Sequence, residues 1–320
     1  MTRFRKLEAT DSRRVDVRYR NLFLFCLLAA AWGSAFMAIK AGLGTPASPA
    51  YFYDAPVLFA AARYDVAGVL VAGYGAWVTG RWRPRSREEW LLVGTGAVFL
   101  IAGYHSLLFV GERGTTSAAA AVIVSLSPVL TTAFARALLP AERLTVVGLV
   151  GMVVGLVGVA ILARPEPANL VGRRFEALVF GAALAFAFGS VLIQRLETTL
   201  PVETMVAWSM LWGAVLMHAL SVGLGETVDG VPPLEAAAAL AYLAVVASAG
   251  GFLIYFDLLD RLGPIEINLV SYVAPAFAAL AGFLVLGEVI DLPTVGGFLV
   301  ILAGFVLIKR RAIREELARR

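Results

Sequence analysis

Cysteine occurs once in the 320 residues, as Cys26, so no internal disulfide can form. Histidine occurs twice, as His105 and His218. Together these leave no HExxH, no CxxC and no cluster able to hold a metal, and no metal or other cofactor is expected. The phosphate cradle GxxxxGK[ST] is absent, which removes the signature of nucleotide-driven pumping. Charge is scarce as well, at 16% of residues, where soluble domains carry about 25%. An enzyme embedded in a membrane to modify lipids gathers acids or histidines near one interface. Here the acids Asp54, Glu112, Glu142, Glu226, Asp257 and Glu288 are scattered, so no catalytic residue and no enzyme activity are expected.

The chain is rich in apolar residues, at 60%, with a mean hydropathy of +0.82. A soluble protein of this composition would expose large apolar patches, whereas a lipid-facing surface tolerates them. About 20 mostly apolar residues cross a hydrocarbon core roughly 30 Å thick. Ten runs meet that requirement: 21–41, 57–79, 89–110, 116–137, 145–163, 176–194, 204–224, 235–257, 264–286 and 293–309. The first run continues past Ala29-Ala30-Ala31 to Ala41, so it reads as an uncleaved helix rather than a signal peptide.

The net charge of +4 does not call for a nucleic-acid partner, because the basic residues lie in loops and tails between the runs. Twenty-one Lys and Arg fall on the side of the N-terminus, including the Arg81–Arg87 loop, and five fall on the other side. That bias predicts a multi-pass protein of the cell membrane with both termini cytoplasmic. Residues 1–20 and 310–320 form basic cytoplasmic tails in this reading.

The two halves of the chain repeat. Pro128, Glu142, Gly151 and Gly158 recur as Pro275, Glu288, Gly297 and Gly304, at an offset of 146 or 147 residues. Trp32-Gly33-Ser34 matches Phe188-Gly189-Ser190, with Lys40 and Arg195 closing the two runs. Five runs per half make the second copy enter the membrane from the opposite side. The expected fold is therefore all-α, with ten transmembrane helices as two inverted five-helix repeats, residues 21–163 and 176–309.

Ala31-Trp32-Gly33-Ser34-Ala35-Phe36-Met37-Ala38-Ile39-Lys40 resembles the opening of the EamA domain of the drug/metabolite transporter superfamily. Arg63 resembles that domain's recurrent arginine, and Pro128 with Glu142, Gly151 and Gly158, and their second copies, resemble its closing helices. The resemblance covers residues 21–309 and departs at Phe188, which is aromatic but not tryptophan. It implies a secondary transporter working by alternating access and exporting a small metabolite, amino-acid-like compound or drug. A nucleotide-sugar or organic-phosphate exchanger is the neighbouring alternative within the superfamily. It would need several cavity cations, and only Arg63 and Lys40 are available.

The residues then sort by type. Gly148, Gly151, Gly155 and Gly158 fall on one helix stripe and, with Gly297 and Gly304, suit close helix packing. Pro128 and Pro275 interrupt runs four and nine, freeing carbonyls that the bundle must satisfy. Ser125 and Tyr272, three residues before each proline, are placed beside the same cavity. Arg63 is the basic residue deep inside a run and reads either as an anion-binding group or as a helix anchor. His105 is open to proton coupling or to plain hydrogen bonding. Trp32, Ser34, Tyr104, Phe188 and Ser190 complete the expected cavity, while Tyr255 is assigned to the membrane interface. The expected partners are a small-molecule substrate, the lipid bilayer and a coupling ion such as a proton.

Overall fold

A computed structural model describes residues 2–45, 47–115, 117–138, 146–163 and 173–286, with twelve further residues from 292 to 310. Chain order is α1 (Thr2–Leu43), a hairpin of β1 (Gly44–Thr45) and β2 (Ser48–Pro49), and α2 (Pro56–Thr79). Next come α3 (Arg87–Thr95), a π-helical stretch Gly96–Gly103, α4 (Tyr104–Gly114), α5 (Ser117–Val124), α6 (Ser127–Leu138) and α7 (Val146–Ala163). The second half holds α8 (Arg173–Arg195), α9 (Val202–Leu224), α10 (Leu234–Tyr242), a second π-helical stretch Leu243–Gly250, α11 (Gly251–Ile267) and α12 (Val270–Leu286). The two-residue hairpin is the one sheet among the described residues, so the architecture is all-α.

Among the described residues, six stretches are long and apolar enough to cross a bilayer: Tyr19–Leu43, Pro56–Thr79, Arg87–Gly114, Arg174–Arg195, Val202–Leu224 and Leu234–Gly263. Val146–Gly158 and Val295–Gly304 are shorter apolar helices. Six of the expected spans coincide with the six stretches and the fifth with Val146–Gly158, whereas run 116–137 is split between α5 and α6 and run 264–286 straddles the end of α11 and α12. The tenth falls partly outside the described residues, and Glu142 and Glu288 lie outside them. Large apolar side chains such as Val69, Trp77, Val153 and Val222 point outward, as a lipid-facing surface requires.

The repeat is visible in the backbone. Both π-helical stretches lie in the third run of their half, and Gly96–Gly103 precedes Leu243–Gly250 by 147 residues, the same offset as the sequence repeat. Packing partners exchange in the same way. Helix α1 packs on α12 and on the α10–α11 rod, while α8 packs on α5–α6 and on the α3–α4 rod. Helices α2 and α9 occupy equivalent places and pack on each other. That exchange is what a pseudo-two-fold axis between two halves produces.

Close approach of backbones rests on glycine. A Cβ at Gly33 of α1 would lie 2.8 Å from the Phe277 Cβ and 3.1 Å from the Ala278 nitrogen on α12. A Cβ at Gly304 would meet the Gly151 carbonyl oxygen and the Gly155 nitrogen, which brings that segment against α7. Lipid provides no hydrophobic drive between helices, so close van der Waals contact of this kind holds the bundle together.

The two prolines behave differently. Run four, expected as one helix, is interrupted at Ser125-Leu126, and Pro128 is the second residue of α6, where its missing N–H costs nothing. Pro275 instead sits inside continuous α12. The carbonyl it frees, four residues back at Ser271, accepts a hydrogen bond from the Ser125 hydroxyl at 2.7 Å. The interruption of run four thus supplies the partner that the proline of α12 requires.

Gly33→Leu is expected to overpack the α1–α12 seam and to destabilise the protein by about 1–3 kcal/mol. Gly73→Leu, where a Cβ meets no atom within 4 Å, should leave stability unchanged. Thermal unfolding of the two variants in one detergent makes the comparison, and equal midpoints would mean that the seam does not depend on glycine.

Candidate functional site

Inside the bundle lies a cavity of about 660 Å³, counting its open mouth. Its wall is mostly apolar. Trp32, Ala35, Phe36 and Ile39 come from α1, with Phe186 from α8 and Phe252 from α11. The polar groups are few: Arg63, Tyr104, His105, Ser127 and Ser271. Pro275 and Ala274 of α12 complete one side. A concave apolar pocket with a few fixed polar groups is the form that small-molecule sites take.

Trp32 anchors the aromatic wall. Its ring centroid lies 5.2 Å from Tyr255, 5.6 Å from Phe252 and 5.9 Å from Phe186. The indole N–H donates to the Ala247 carbonyl at 3.0 Å, so the ring is held by the second π-helical stretch. A π-helical turn displaces carbonyls from the regular ladder, and such turns recur at functional sites. Tyr104 stacks obliquely on Phe186 at 5.1 Å from the opposite side.

Arg63 is the one cation on the wall, and it is 3% exposed. Its Nε donates to the Ser248 hydroxyl at 2.9 Å, and its Nη2 donates to the Tyr64 hydroxyl at 3.1 Å. The same Nη2 lies 3.3 Å from His105 Nε2, which also lies 2.8 Å from the Tyr64 hydroxyl. His105 Nδ1 faces the Ile101 carbonyl at 3.0 Å. With two donors converging on Nε2 and an acceptor at Nδ1, the partners assign the proton to Nδ1. The guanidinium also lies over the Tyr64 ring at 4.7 Å and the Phe109 ring at 5.4 Å. No carboxylate pairs with Arg63 among the described residues, and Nη1 makes no hydrogen bond there. Asp65, two residues on, points elsewhere and meets His218 Nε2 at 2.7 Å on the outer face of α2 and α9.

A buried polar network joins three of the helices. Asn268 Nδ2 donates to Thr131 Oγ1 at 2.9 Å and to Ser190 Oγ at 3.2 Å, and its Oδ1 accepts from the Tyr255 hydroxyl at 3.2 Å. These residues tie α6, α8 and α11 together at one point. Tyr255 is therefore fully buried, and its assignment to the membrane interface is corrected: the Asp257 that suggested a helix end stands mid-helix, bonded to Arg261.

The expected cavity residues divide. Trp32, Arg63, Tyr104, His105 and Pro275 meet at the cavity. Ser34 instead bonds the Ala30 carbonyl and the Tyr242 hydroxyl, tying α1 to α10. Ser125 serves the carbonyl freed by Pro275, and Ser190 belongs to the Asn268 network. Phe188 packs between Phe99 and Phe134, away from the cavity. The Tyr272 hydroxyl reaches the Met152 carbonyl, with its ring against Gly155, and Pro128 is buried in α6. Gly148, Gly151, Gly158 and Gly297 are all buried. Tyr64, Phe186, Ser248 and Phe252 were not singled out from sequence, although Tyr64 and Phe252 lie beside or one turn from aromatic and polar residues that were.

The chain matches the EamA-like transporter family over residues 20–164 and 174–310. It is 29% identical over 281 residues to the "Uncharacterized inner membrane transporter YedA" of Escherichia coli K12, covering 86% of this chain and 87% of that protein. It is 30% identical over 301 residues to a "Probable terminal-alkyne amino-acid exporter" of Streptantibioticus cattleyicolor, covering 92% and 95% of the two chains. A solved crystal structure with 20% sequence identity superposes with a TM-score of 0.71 over 93% of this chain and 99% of that one, which shows the shared fold. With two matched segments that span nearly all of its length, the chain belongs to the EamA-like transporter family.

Proposed function

We propose that this membrane transporter exports a small solute bearing one carboxylate, amino-acid-like in chemistry, by alternating access and without nucleotide hydrolysis. The observation that carries the reading is Arg63: a guanidinium on the cavity wall, fixed by Ser248 and Tyr64, with no acid to pair with among the described residues. A buried charge without a counter-ion is costly, and a substrate anion relieves that cost when it binds. A guanidinium presents paired N–H groups suited to a carboxylate, and here Nη1 remains free for it. The wall of Trp32, Phe186 and Phe252 takes an apolar side chain. A relative whose printed name is that of an amino-acid exporter supports the same class.

In this reading residues 21–163 and 176–309 are the two halves that rock about the site. The Asn268 network is the contact that opens, and the glycine seams allow sliding. Both termini are cytoplasmic in the cell membrane, as the bias of Lys and Arg predicts. The organic-phosphate alternative lacks cations: Lys40 does not line the cavity, because its Nζ donates to the Glu112 carbonyl at 3.1 Å and the Thr115 carbonyl at 3.4 Å.

A thermal-shift screen of the detergent-purified protein against amino acids, nucleosides, sugars, organic phosphates and cationic drugs tests the class. Amino acids with apolar side chains should stabilise it, by about 2.7 kcal/mol at a hundredfold excess over Kd. The shift should vanish in Arg63→Gln and shrink in Trp32→Ala. Stabilisation by organic phosphates or cationic drugs alone would overturn the reading. Tyr64→Phe should weaken the same ligand roughly tenfold, the equivalent of about 1.4 kcal/mol, because the guanidinium loses one of the groups that aim it. Unchanged affinity in Tyr64→Phe would show that Arg63 is not held in place by that hydroxyl.

A further inference from the structure

A second buried charged group goes unused by the substrate reading. Glu112 lies on α4 at i+7 from His105 and i+4 from Leu108, so all three share one helix face, and the latter two line the cavity. Its residue exposure is 0%, and neither carboxyl oxygen has a hydrogen-bond partner. The Thr115 hydroxyl beside it is also buried and unpartnered. A cation is at hand but engaged: Lys40 of α1 spends its ammonium on the backbone carbonyls of Glu112 and Thr115, at the C-terminal end of α4, and not on the carboxyl group. Lys40 is itself half-buried, so it links this pocket to solvent.

We infer that Glu112 is a reversible proton-binding site, with Lys40 as the cation that competes with the proton. A carboxyl group with no donor among the described residues is one that a proton can satisfy. If the ammonium moves from the two carbonyls to the carboxyl oxygens, the ionised form gains a partner and the proton leaves. No bond other than O–H is made or broken, and the proton passes to water. The other charged groups near Glu112 are engaged or distant. On α2, Arg63 is held by Ser248 and Tyr64, and on α4 itself Arg113 pairs with Asp54 at 3.1 Å. On α8, Arg174 lies over Phe175, and Glu176 lies in the same first turn. Tyr104 and His105 lie two turns back along α4.

The inference rests on the transport reading for its use, as the ion side of a secondary transporter, but not for its detection. Infrared difference spectra of the reconstituted full chain, taken across a pH titration without any substrate, report protonated carboxyl groups by their C=O stretch. The expected result is a band that appears as pH falls and is missing in Glu112→Gln. Lys40→Met should move its midpoint, because the competing charge is gone. A band present in the wild type but unaltered in Glu112→Gln would overturn the proposal, as would a Glu112 band that does not titrate. Should Glu112→Gln fail to fold, Lys40→Met decides alone: an unmoved midpoint removes the proposed competition. A clear Glu112 titration in a protein that no solute stabilises would leave this site standing while the carboxylate-exporter reading falls.

Discussion

In a bilayer, helices gain nothing by hiding apolar surface from one another, so what holds this bundle is the closeness of its backbones and the satisfaction of its polar groups. Both demands are met by particular residues. Gly33 lets α1 press on α12, Gly304 fits against Gly151 and Gly155, and Gly111 and Gly114 receive the Val179 and Phe175 side chains of α8. Where the helical ladder is broken, another helix supplies the missing partner: Ser125 serves the carbonyl of Ser271, and Trp32 serves that of Ala247. Ser125 and Trp32 are therefore bound to backbone before they are free to meet a solute.

The cavity follows from the exceptions. Its floor and wall come from places where regular helix fails: the second π-helical stretch, the interruption before Pro128 and the proline inside α12. Irregular backbone is tolerated at membrane depth only where protein or an aqueous cavity surrounds it. The same irregularities put Ser248, Ser127 and Ser271 where they can reach Arg63 or the open space. Packing and site are thus one design, since the breaks that need extra hydrogen bonds are also the breaks that leave room.

How much of this could be read from the chain depended on the kind of residue. Long apolar runs and a repeat at constant offset are one-dimensional signals, and they carried the all-α fold and the two halves. Arg63, Trp32, Tyr104 and His105 were visible because a charge, an indole or an imidazole in an apolar run needs a reason. Which way a helix faces is harder to read. Ser34 lies two residues from Trp32 and Phe188 two from Phe186, so each falls on a different face from its cavity-lining neighbour. Ser248 was hidden because its role arises from a π-helical turn, which no spacing rule announces. Glu112 appeared as one scattered acid among six, because its isolation is a property of burial and of where Lys40 points.

The repeat also shows where symmetry ends. At the offset shared by the two π-helical stretches, His105 corresponds to Phe252, Tyr104 to Gly251 and Glu112 to Leu259. His105 and Phe252 face each other across the cavity, with ring centroids 6.1 Å apart. A duplicated scaffold supplies two backbones of equivalent shape, which is what exchange between two opposed conformations needs. Equivalent chemistry in both halves would make the two ends of the path alike. Here the rod of the first half carries Tyr104, His105 and Glu112, while the second answers with a glycine, a phenyl ring and a leucine along its matching rod. The uncharged Asn268 network lies elsewhere in the bundle, tying α6, α8 and α11 together. The backbone thus repeats while the side chains do not, and the chemistry that a solute could meet differs between the two halves.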